Sequence, residues 1–332
     1  VGVVGQRQAE IPVKKKDEMK SKYGFDDSVV AVSELKLGSA LENNGLDLGK
    51  LLELAAGGKN SEYPGATTGL DALETIKQSD ADTVIEVSYT DIKTGEPANS
   101  HFKAALEGGK NLITTNKGPT ALFFKELAAL AKSKGVQFRY EGTVVAGTPV
   151  LDLCDFTLAG NEISEIRGIL NGTTNFILTN MEAGRAYDEV LKEAQELGFA
   201  EADPTADVEG FDALAKVVIL AKSVMGADIS PSDVARTGIT QISLDDVAAA
   251  KEDGKRWKLI GKVTRDGAGV KASVKPEKVA LTDPLAAVGG ATNALTFVTD
   301  LLGEVTIVGP GAGKIETGYS LLIDMLAIDR RV

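Results

Sequence analysis

Six ionisable residues fall within sixteen positions of one stretch: Glu201, Asp203, Asp207, Glu209, Asp212 and Lys216. Asp203-Pro204 has the form of a helix start, with the acid as N-cap and proline at the first helical position. The run from Phe211 to Ala221 is largely apolar, so a helix over about 205–225 reads as mostly buried. Asp212 and Lys216 stand four residues apart and share one face of it. Burying an acid–amine pair is costly unless both partners are satisfied. A small substrate with an amine, a carboxylate and an oxidisable hydroxyl would use such groups. The plain alternative is a solvated i,i+4 pair, which contributes little.

Other catalytic chemistries are poorly supplied. The chain has one cysteine, Cys154, and one histidine, His101. That excludes an internal disulfide framework, a cysteine-based zinc site and any multi-histidine metal site. His101 lies at an amphipathic helix start, where a surface or capping role is expected. Cys154 sits between apolar and acidic residues, and neighbouring carboxylates raise a thiol pKa. A buried structural thiol is expected, and an aldehyde dehydrogenase working through a thioester at Cys154 is disfavoured. The chemistry falls to lysines, carboxylates or a cofactor.

The 332 residues suffice for about two domains. A net charge of −12 leaves no basic footprint for nucleic acid. No apolar run is long enough for a membrane span, and no secretory signal opens the chain. A reducing cytoplasm is the expected location.

Residues 1 to about 142 alternate strand-like and helix-like segments. Strands are expected at Ser28–Ser33, Thr83–Val87, Asn111–Thr115 and Val136–Tyr140. Helices are expected at Leu48–Leu54, Gly69–Lys77, Pro97–Leu106 and Leu122–Lys132. This alternation predicts an α/β fold with a Rossmann-like, doubly wound parallel sheet. Residues 143–312 read as an α+β domain. Its strands are expected at 163–170, 256–264, 269–279, 294–298 and 304–308, its helices at 174–183, 187–197 and 205–225. A last helix, about 314–328 within 313–332, is expected to rejoin the first domain. The β-rich stretch 256–308 is suited to pairing between two copies.

The chain opens Val1-Gly-Val-Val-Gly-Gln-Arg7. Gly2 and Gly5 fit the second and third glycines of a G-x-G-x-x-G dinucleotide fingerprint. The first glycine and its strand would precede Val1. That strand sits mid-sheet in such folds, so two strands would lack a partner. Pro12 falls inside the expected first helix and would kink it.

Taken together, these segments resemble the homoserine dehydrogenase family. The resemblance runs from Gly2 to about residue 328 and rests on ordered motifs: Thr115–Pro119, Glu141–Pro149, Gly-Ile-Leu-Asn-Gly-Thr-Thr-Asn at 168–175, Glu193–Pro204 with Asp207, Gly210, Asp212 and Lys216, and Val308–Gly313. It looks like the short form, without an aspartate kinase or a regulatory domain. The family interconverts L-homoserine and L-aspartate 4-semialdehyde with a nicotinamide cofactor, in threonine, methionine and isoleucine biosynthesis. The resemblance implies Lys117, Lys216 and Asp212 as catalytic residues, the two lysines reaching the reacting oxygen from different domains. It implies Gly172, Thr173, Phe199, Glu201 and Asp207 as substrate-binding, the two acids holding the ammonium. It implies NAD or NADP bound through Gly2, Val3, Val4, Gly5, Arg7, Glu34, Lys36, Ser88, Thr90, Asn116, Lys117, Gly311, Gly313 and Glu316. It also implies a monovalent cation, usually sodium, on carbonyls of Glu141, Val144, Ala146 and Thr148, with Gly147 permitting the bend. A homodimer is implied as well.

Three departures stand out. Arg7 replaces a small residue and would suit a 2′-phosphate. Phe199 replaces a tyrosine found in some relatives. In Ser33-Glu34-Leu35-Lys36, Glu34 favours NAD and Lys36 favours NADP, so cofactor preference stays open. A non-catalytic relative acting as a binding or regulatory protein is the alternative reading, supported only by the incomplete fingerprint.

Overall fold

The computed structural model describes residues 15, 17–267 and 269–330. The fingerprint residues Gly2, Val3, Val4, Gly5 and Arg7, and Pro12, lie outside the described residues. The chain divides into two compact units, one running up to Gly142 and resuming at Lys314, the other spanning Thr143–Gly313. Among the described residues no helix is long and apolar enough to cross a membrane.

Among its described residues, the first unit holds two three-stranded sheets. Strands β1 (Ala31–Glu34), β2 (Gly38–Leu41) and β3 (Thr67–Thr68) pair antiparallel, whereas β4 (Thr83–Glu86), β5 (Asn111–Thr114) and β6 (Phe138–Arg139) pair parallel. The strand expected at 28–33 is therefore not part of the described parallel sheet. It turns back on β2 because Glu34 Oε2 accepts from the N–H groups of Lys36 and Leu37, both at 2.6 Å, closing a tight turn. Helices α1 (Leu48–Ala56), α2 (Ala72–Gln78), α3 (Ala98–Glu107) and α4 (Lys117–Lys134) follow their strands. Asp71 and Glu74 close α2 with a reciprocal capping box. Phe102, Leu106, Leu112 and Leu127 form the core between α3, α4 and the parallel sheet.

Helix α4 begins five residues before the expected Leu122. Asn116 caps it by accepting from Gly118 N–H. Pro119 then falls in the first turn, where a helix needs no amide donor. Lys117 is consequently the first residue of a long helix.

In the second unit, one sheet of six strands runs in the order β12-β11-β7-β9-β10-β8. The strands are β7 (Ile163–Ile169), β8 (Ala235–Arg236), β9 (Lys255–Asp266), β10 (Gly269–Ala280), β11 (Thr292–Thr299) and β12 (Gly303–Pro310). Helices α5 (Gly172–Met181), α6 (Tyr187–Glu196), α7 (Thr205–Val208), α8 (Phe211–Ser223) and α9 (Leu244–Glu252) accompany it, and α10 (Lys314–Arg330) belongs to the first unit. In α10, Leu322 and Leu326 pack on Met19, and Asp324 accepts from Glu141 N–H.

Three local expectations are corrected. The helix expected over 205–225 is two helices, broken at Gly210, whose φ is 79°. A side chain there would also press on Val274. Pro204, not Asp203, is the N-cap of α7, and Asp203 accepts from Thr205 N–H beside it. Cys154 is only half-buried in an irregular turn.

The sheet sets a steric limit at β7. A Cβ on Gly168 would press into the Ala294 carbonyl oxygen of β11. Gly168→Ala is expected to lose about 1–3 kcal/mol of stability, measured by urea unfolding, because a packed strand interface cannot yield without backbone movement. An unchanged midpoint would show that the two strands separate freely.

Candidate active site

Asn171 sits at the centre of the polar groups in the second unit. It follows β7 and caps α5, its Oδ1 accepting from Thr174 N–H at 2.9 Å. Its Nδ2 donates to Asp207 Oδ1 at 2.6 Å and to Asp212 Oδ2 at 3.1 Å. One amide thus bridges two carboxylates carried by α7 and α8. Lys216, one turn along α8 from Asp212, donates to Asp212 Oδ2 and to the Leu170 carbonyl, both at 2.7 Å. The lysine side chain is 8% exposed and the aspartate 17%. The solvated-pair alternative is therefore excluded.

The apolar sequence of α8 explains this burial. Ala213–Ala221 are all buried, and α8 packs on β9 and β10. Lys216 is drawn in with its neighbours and must find partners. Asp207 is also withdrawn from water. Burial pushes its carboxyl above the ordinary aspartate range, and Asp212 adds to the shift, while the Asn171 bond and Lys216 oppose it. Such a carboxylate favours any arriving cation.

Of the other expected substrate residues, Thr173 and Phe199 are bonded to each other and Gly172 begins α5. Thr173 Oγ1 donates to the Phe199 carbonyl at 2.6 Å, tying α5 to the segment before α7. Phe199 is 44% exposed and lies 5.2 Å from the Phe176 ring. Glu201 presents an exposed side chain, and its carbonyl accepts from Gln195. Gly172 is a point of close approach, since a Cβ there would press on the Ala291 carbonyl.

In the first unit, polar groups gather at the C-terminal ends of β4 and β5. This is where open α/β sheets receive ligands. Glu86 is buried there, with Oε1 3.2 Å from His101 Nδ1 and accepting from Ser88 N–H. His101 is thus a half-buried partner of Glu86, not the expected surface residue. Asn116 Nδ2 donates to the Tyr89 carbonyl at 3.1 Å, linking the two strand ends. Ser88 is half-buried, its Oγ without a hydrogen-bond partner among the described residues, while Thr90 is exposed. Lys117, at the start of α4, is half-buried. At the end of β1, burial works to raise the Glu34 pKa, but the two turn N–H donors outweigh it and hold the carboxyl below its ordinary value. Lys36 is exposed beside it. These groups fit a nucleotide: a fixed carboxylate at one strand end and a buried amide, an orphan hydroxyl and a helix start at the others. Glu316 lies half-buried on α10.

The segment after Glu141 is bent in an unexpected place. Val145 and Ala146 carry the left-handed backbone, with φ of 58° and 44°. Gly147 does not, so it is not the residue that permits the bend. A β-branched residue in this region is strained and persists only where its surroundings fix it. Val144 and Thr148 are buried, and Thr148 Oγ1 donates to the Pro310 carbonyl. A Cβ on Gly309 would collide with Thr148, so this segment lies against the 308–313 loop carrying Gly311 and Gly313. Among the described residues no group of three histidine, cysteine or acidic side chains is placed to hold a metal. An ion here would rest on main-chain oxygens.

Sequence reasoning missed three residues. Asn171 was quoted only as part of a motif, although its place between strand and helix marks an N-cap. Lys258 is buried in β9, donating to Asn175 Oδ1 and the Val288 carbonyl. Asn293 is buried beside Gly172 and Gly311, both amide atoms without a hydrogen-bond partner among the described residues. Neither side chain carries a local sequence signal, because both are buried by strand pairing.

A Rossmann-like parallel sheet, joined in sequence to a unit with a buried lysine beside two aspartates, fits a nicotinamide-dependent oxidoreductase. The Homoserine dehydrogenase family profile matches residues 149–326. The chain is 46% identical over 331 residues to the NAD(+)-dependent homoserine dehydrogenase of Pseudomonas canavaninivorans, covering 98% of this chain and 94% of that one. It is 44% identical over 329 residues to the homoserine dehydrogenase of Methanocaldococcus jannaschii, covering 98% and 96%. A solved homoserine dehydrogenase from Thiobacillus denitrificans superposes with a TM-score of 0.85 at 32% identity, covering 99% of this chain and 72% of that one. A hyperthermophilic archaeal homoserine dehydrogenase in complex with NADPH gives 0.83 at 29%, covering 100% and 96%. The chain belongs to the homoserine dehydrogenase family.

Burial of Asp207 has a consequence for stability. Its folded pKa is raised, so the folded state holds its proton more tightly than the unfolded state. The ionised form therefore costs stability above the folded pKa, and that cost disappears below the unfolded pKa. Asp207→Asn is expected to melt at or above the wild-type temperature at pH 7, the difference shrinking as pH falls towards 4. Melting curves across that range check it. A variant clearly less stable at pH 7 would mean that the carboxylate is a net stabiliser.

Proposed function

We propose that the protein interconverts L-homoserine and L-aspartate 4-semialdehyde, using NAD or NADP, as a step of amino-acid biosynthesis. The observation that carries this reading is the bridge from Asn171 to Asp207 and Asp212, with Lys216 bonded to Asp212 and to Leu170. Each acidic group is held in place, partly shielded from water and close to a fixed amine. The first unit serves as the nucleotide-binding domain and Thr143–Gly313 as the substrate and dimerisation domain.

The residue roles follow from charge and position. The substrate ammonium binds at Asp207, where burial has made a cation favourable, with Glu201 as a second acid. Gly172 and Thr173 line the turn that meets the substrate, and Phe199 supplies an apolar surface. The nicotinamide, when bound, supplies or accepts the hydride. Lys216 uses two of an ammonium's three donors on Asp212 and Leu170, leaving one for the substrate's hydroxyl or carbonyl oxygen. Asp212 fixes that lysine. Lys117, at the C-terminal end of β5, is the second group assigned to proton movement.

The strained Val145–Ala146 bend supports a cation held by the carbonyls of Val144, Ala146 and Thr148, just after the first unit ends at Gly142. A homodimer is supported by β12, an edge strand with Val308 53% exposed, and by Leu301 and Leu302 in the preceding turn, 71% and 60% exposed. The cytoplasm suits an enzyme of this pathway.

Proton movement gives the sharpest test. Lys216→Ala and Lys117→Ala are each expected to lower kcat by roughly 10²–10⁴, the range of a general acid–base group. Lys216→Ala should keep its cofactor affinity, and Lys216→Arg should not recover, since a guanidinium holds its proton. Steady-state rates across pH check this. Near-normal rate and pH profile in Lys216→Arg would reduce Lys216 to an electrostatic anchor.

A further inference from the structure

Lys258 is one of the largest fully buried side chains in the protein, at 1% exposure, and no step of the reaction uses it. It stands on β9, within the sheet that carries α5. Its Nζ donates to Asn175 Oδ1 at 3.0 Å and to the Val288 carbonyl at 2.7 Å. Asn175 Nδ2 in turn donates to the Val288 carbonyl at 3.2 Å and to the Thr292 carbonyl at 3.1 Å. The two side chains therefore hold both ends of the loop between Val288 and Thr292. Inside that loop lies Ala291, whose carbonyl is the group a Cβ on Gly172 would strike. Asn175 also belongs to the first turns of α5, its N–H bonding the Asn171 carbonyl.

A buried amine is an expensive way to fill a core. Burial holds the Lys258 pKa down to about 8, with Glu182 at the end of α5 drawing it up and Arg256 pushing it down. Glu182 itself is engaged by Arg256 Nε at 3.4 Å, and its carbonyl accepts from Lys251 of α9. A methionine would fill a similar volume without the desolvation cost. What methionine lacks is the pair of donors that joins Asn175 to the Val288 carbonyl.

We propose that Lys258 is a positioning residue for homoserine: through Asn175 and the 288–292 loop it fixes the Asn171–Thr173 turn against which the substrate binds. Lys216 grips the same turn at the Leu170 carbonyl, so two lysines from different elements set its place. The inference rests on the reading that the substrate lies at Asp207 and the α5 turn.

The test compares Lys258→Met, Asn175→Ala and the double variant with the wild type, in steady-state homoserine oxidation. Each single variant is expected to raise the homoserine KM roughly tenfold to a hundredfold, the effect of a small misplacement at a site. The KM for NAD should hold in each variant. The double variant should be no worse than the weaker single one, because the two residues act as a unit. A Lys258→Met enzyme with wild-type KM and kcat overturns the proposal. So does a double variant whose defect is the product of the two single defects. If Lys258→Met does not fold, Asn175→Ala decides alone: a normal homoserine KM overturns the proposal. Asp207→Ala is assayed beside them. If it binds homoserine normally, the site reading itself has failed; if it is crippled while Lys258→Met is normal, only the role of Lys258 falls.

Discussion

Burying charge is the constraint on which the second unit is organised. Asp207, Asp212 and Lys216 are withdrawn from water by an apolar helix packed on a sheet, and none of them is tolerable there unpaired. Asn171 resolves the conflict. An amide has two donors and an acceptor in one rigid plane, and Asn171 uses them to join two acids and start α5 at once. Lys216 completes the set by bonding Asp212 and the residue before Asn171. The result is a fixed array of one cation and two anions, held by bonds within the protein. Preorganised charge of this kind avoids reorganisation when the reaction occurs.

The surrounding backbone serves that array. Gly168 lets β7 and β11 approach closely, and Gly172 lets α5 begin against the Ala291 carbonyl. Gly210 breaks the chain between α7 and α8, so that Asp207 and Asp212 come from separate helices with independent directions. One continuous helix could not have aimed both at a single amide on these terms. In the first unit, Glu86, Asn116 and the β1 turn do similar work at the strand ends, where main-chain groups run out of sheet partners. Asn171, Glu86 and Asn116 thus all stand where secondary structure begins or ends.

Much of this was legible in the sequence. The acid–lysine spacing, the apolar helix and the ordered motifs gave the family, and the long strands of the second unit fell within a few residues of expectation. What was not legible depends on contacts distant in sequence. The β1–β2 hairpin was missed because its turn is closed by the Glu34 side chain, not by a glycine–asparagine signal. The start of α4 was placed too late because Pro119 reads as a stop unless it falls in the first turn. The sequence around His101 reads as a surface helix start, since nothing near it in sequence reveals Glu86. Lys258 and Asn293 sit on strands whose neighbours bury them, and a single strand cannot show which of its residues will be covered on both sides.

The central claim is that Asp207, made receptive by burial, holds the substrate's ammonium. It is tested most directly by comparing kcat/KM for L-homoserine with that for 4-hydroxybutanoate, which lacks the amine, in the wild type and in Asp207→Ala. The wild type is expected to prefer homoserine strongly, and Asp207→Ala to lose about 2–5 kcal/mol of that preference, the cost of removing one partner of a buried charge pair. A preference for homoserine that survives undiminished in Asp207→Ala would contradict it.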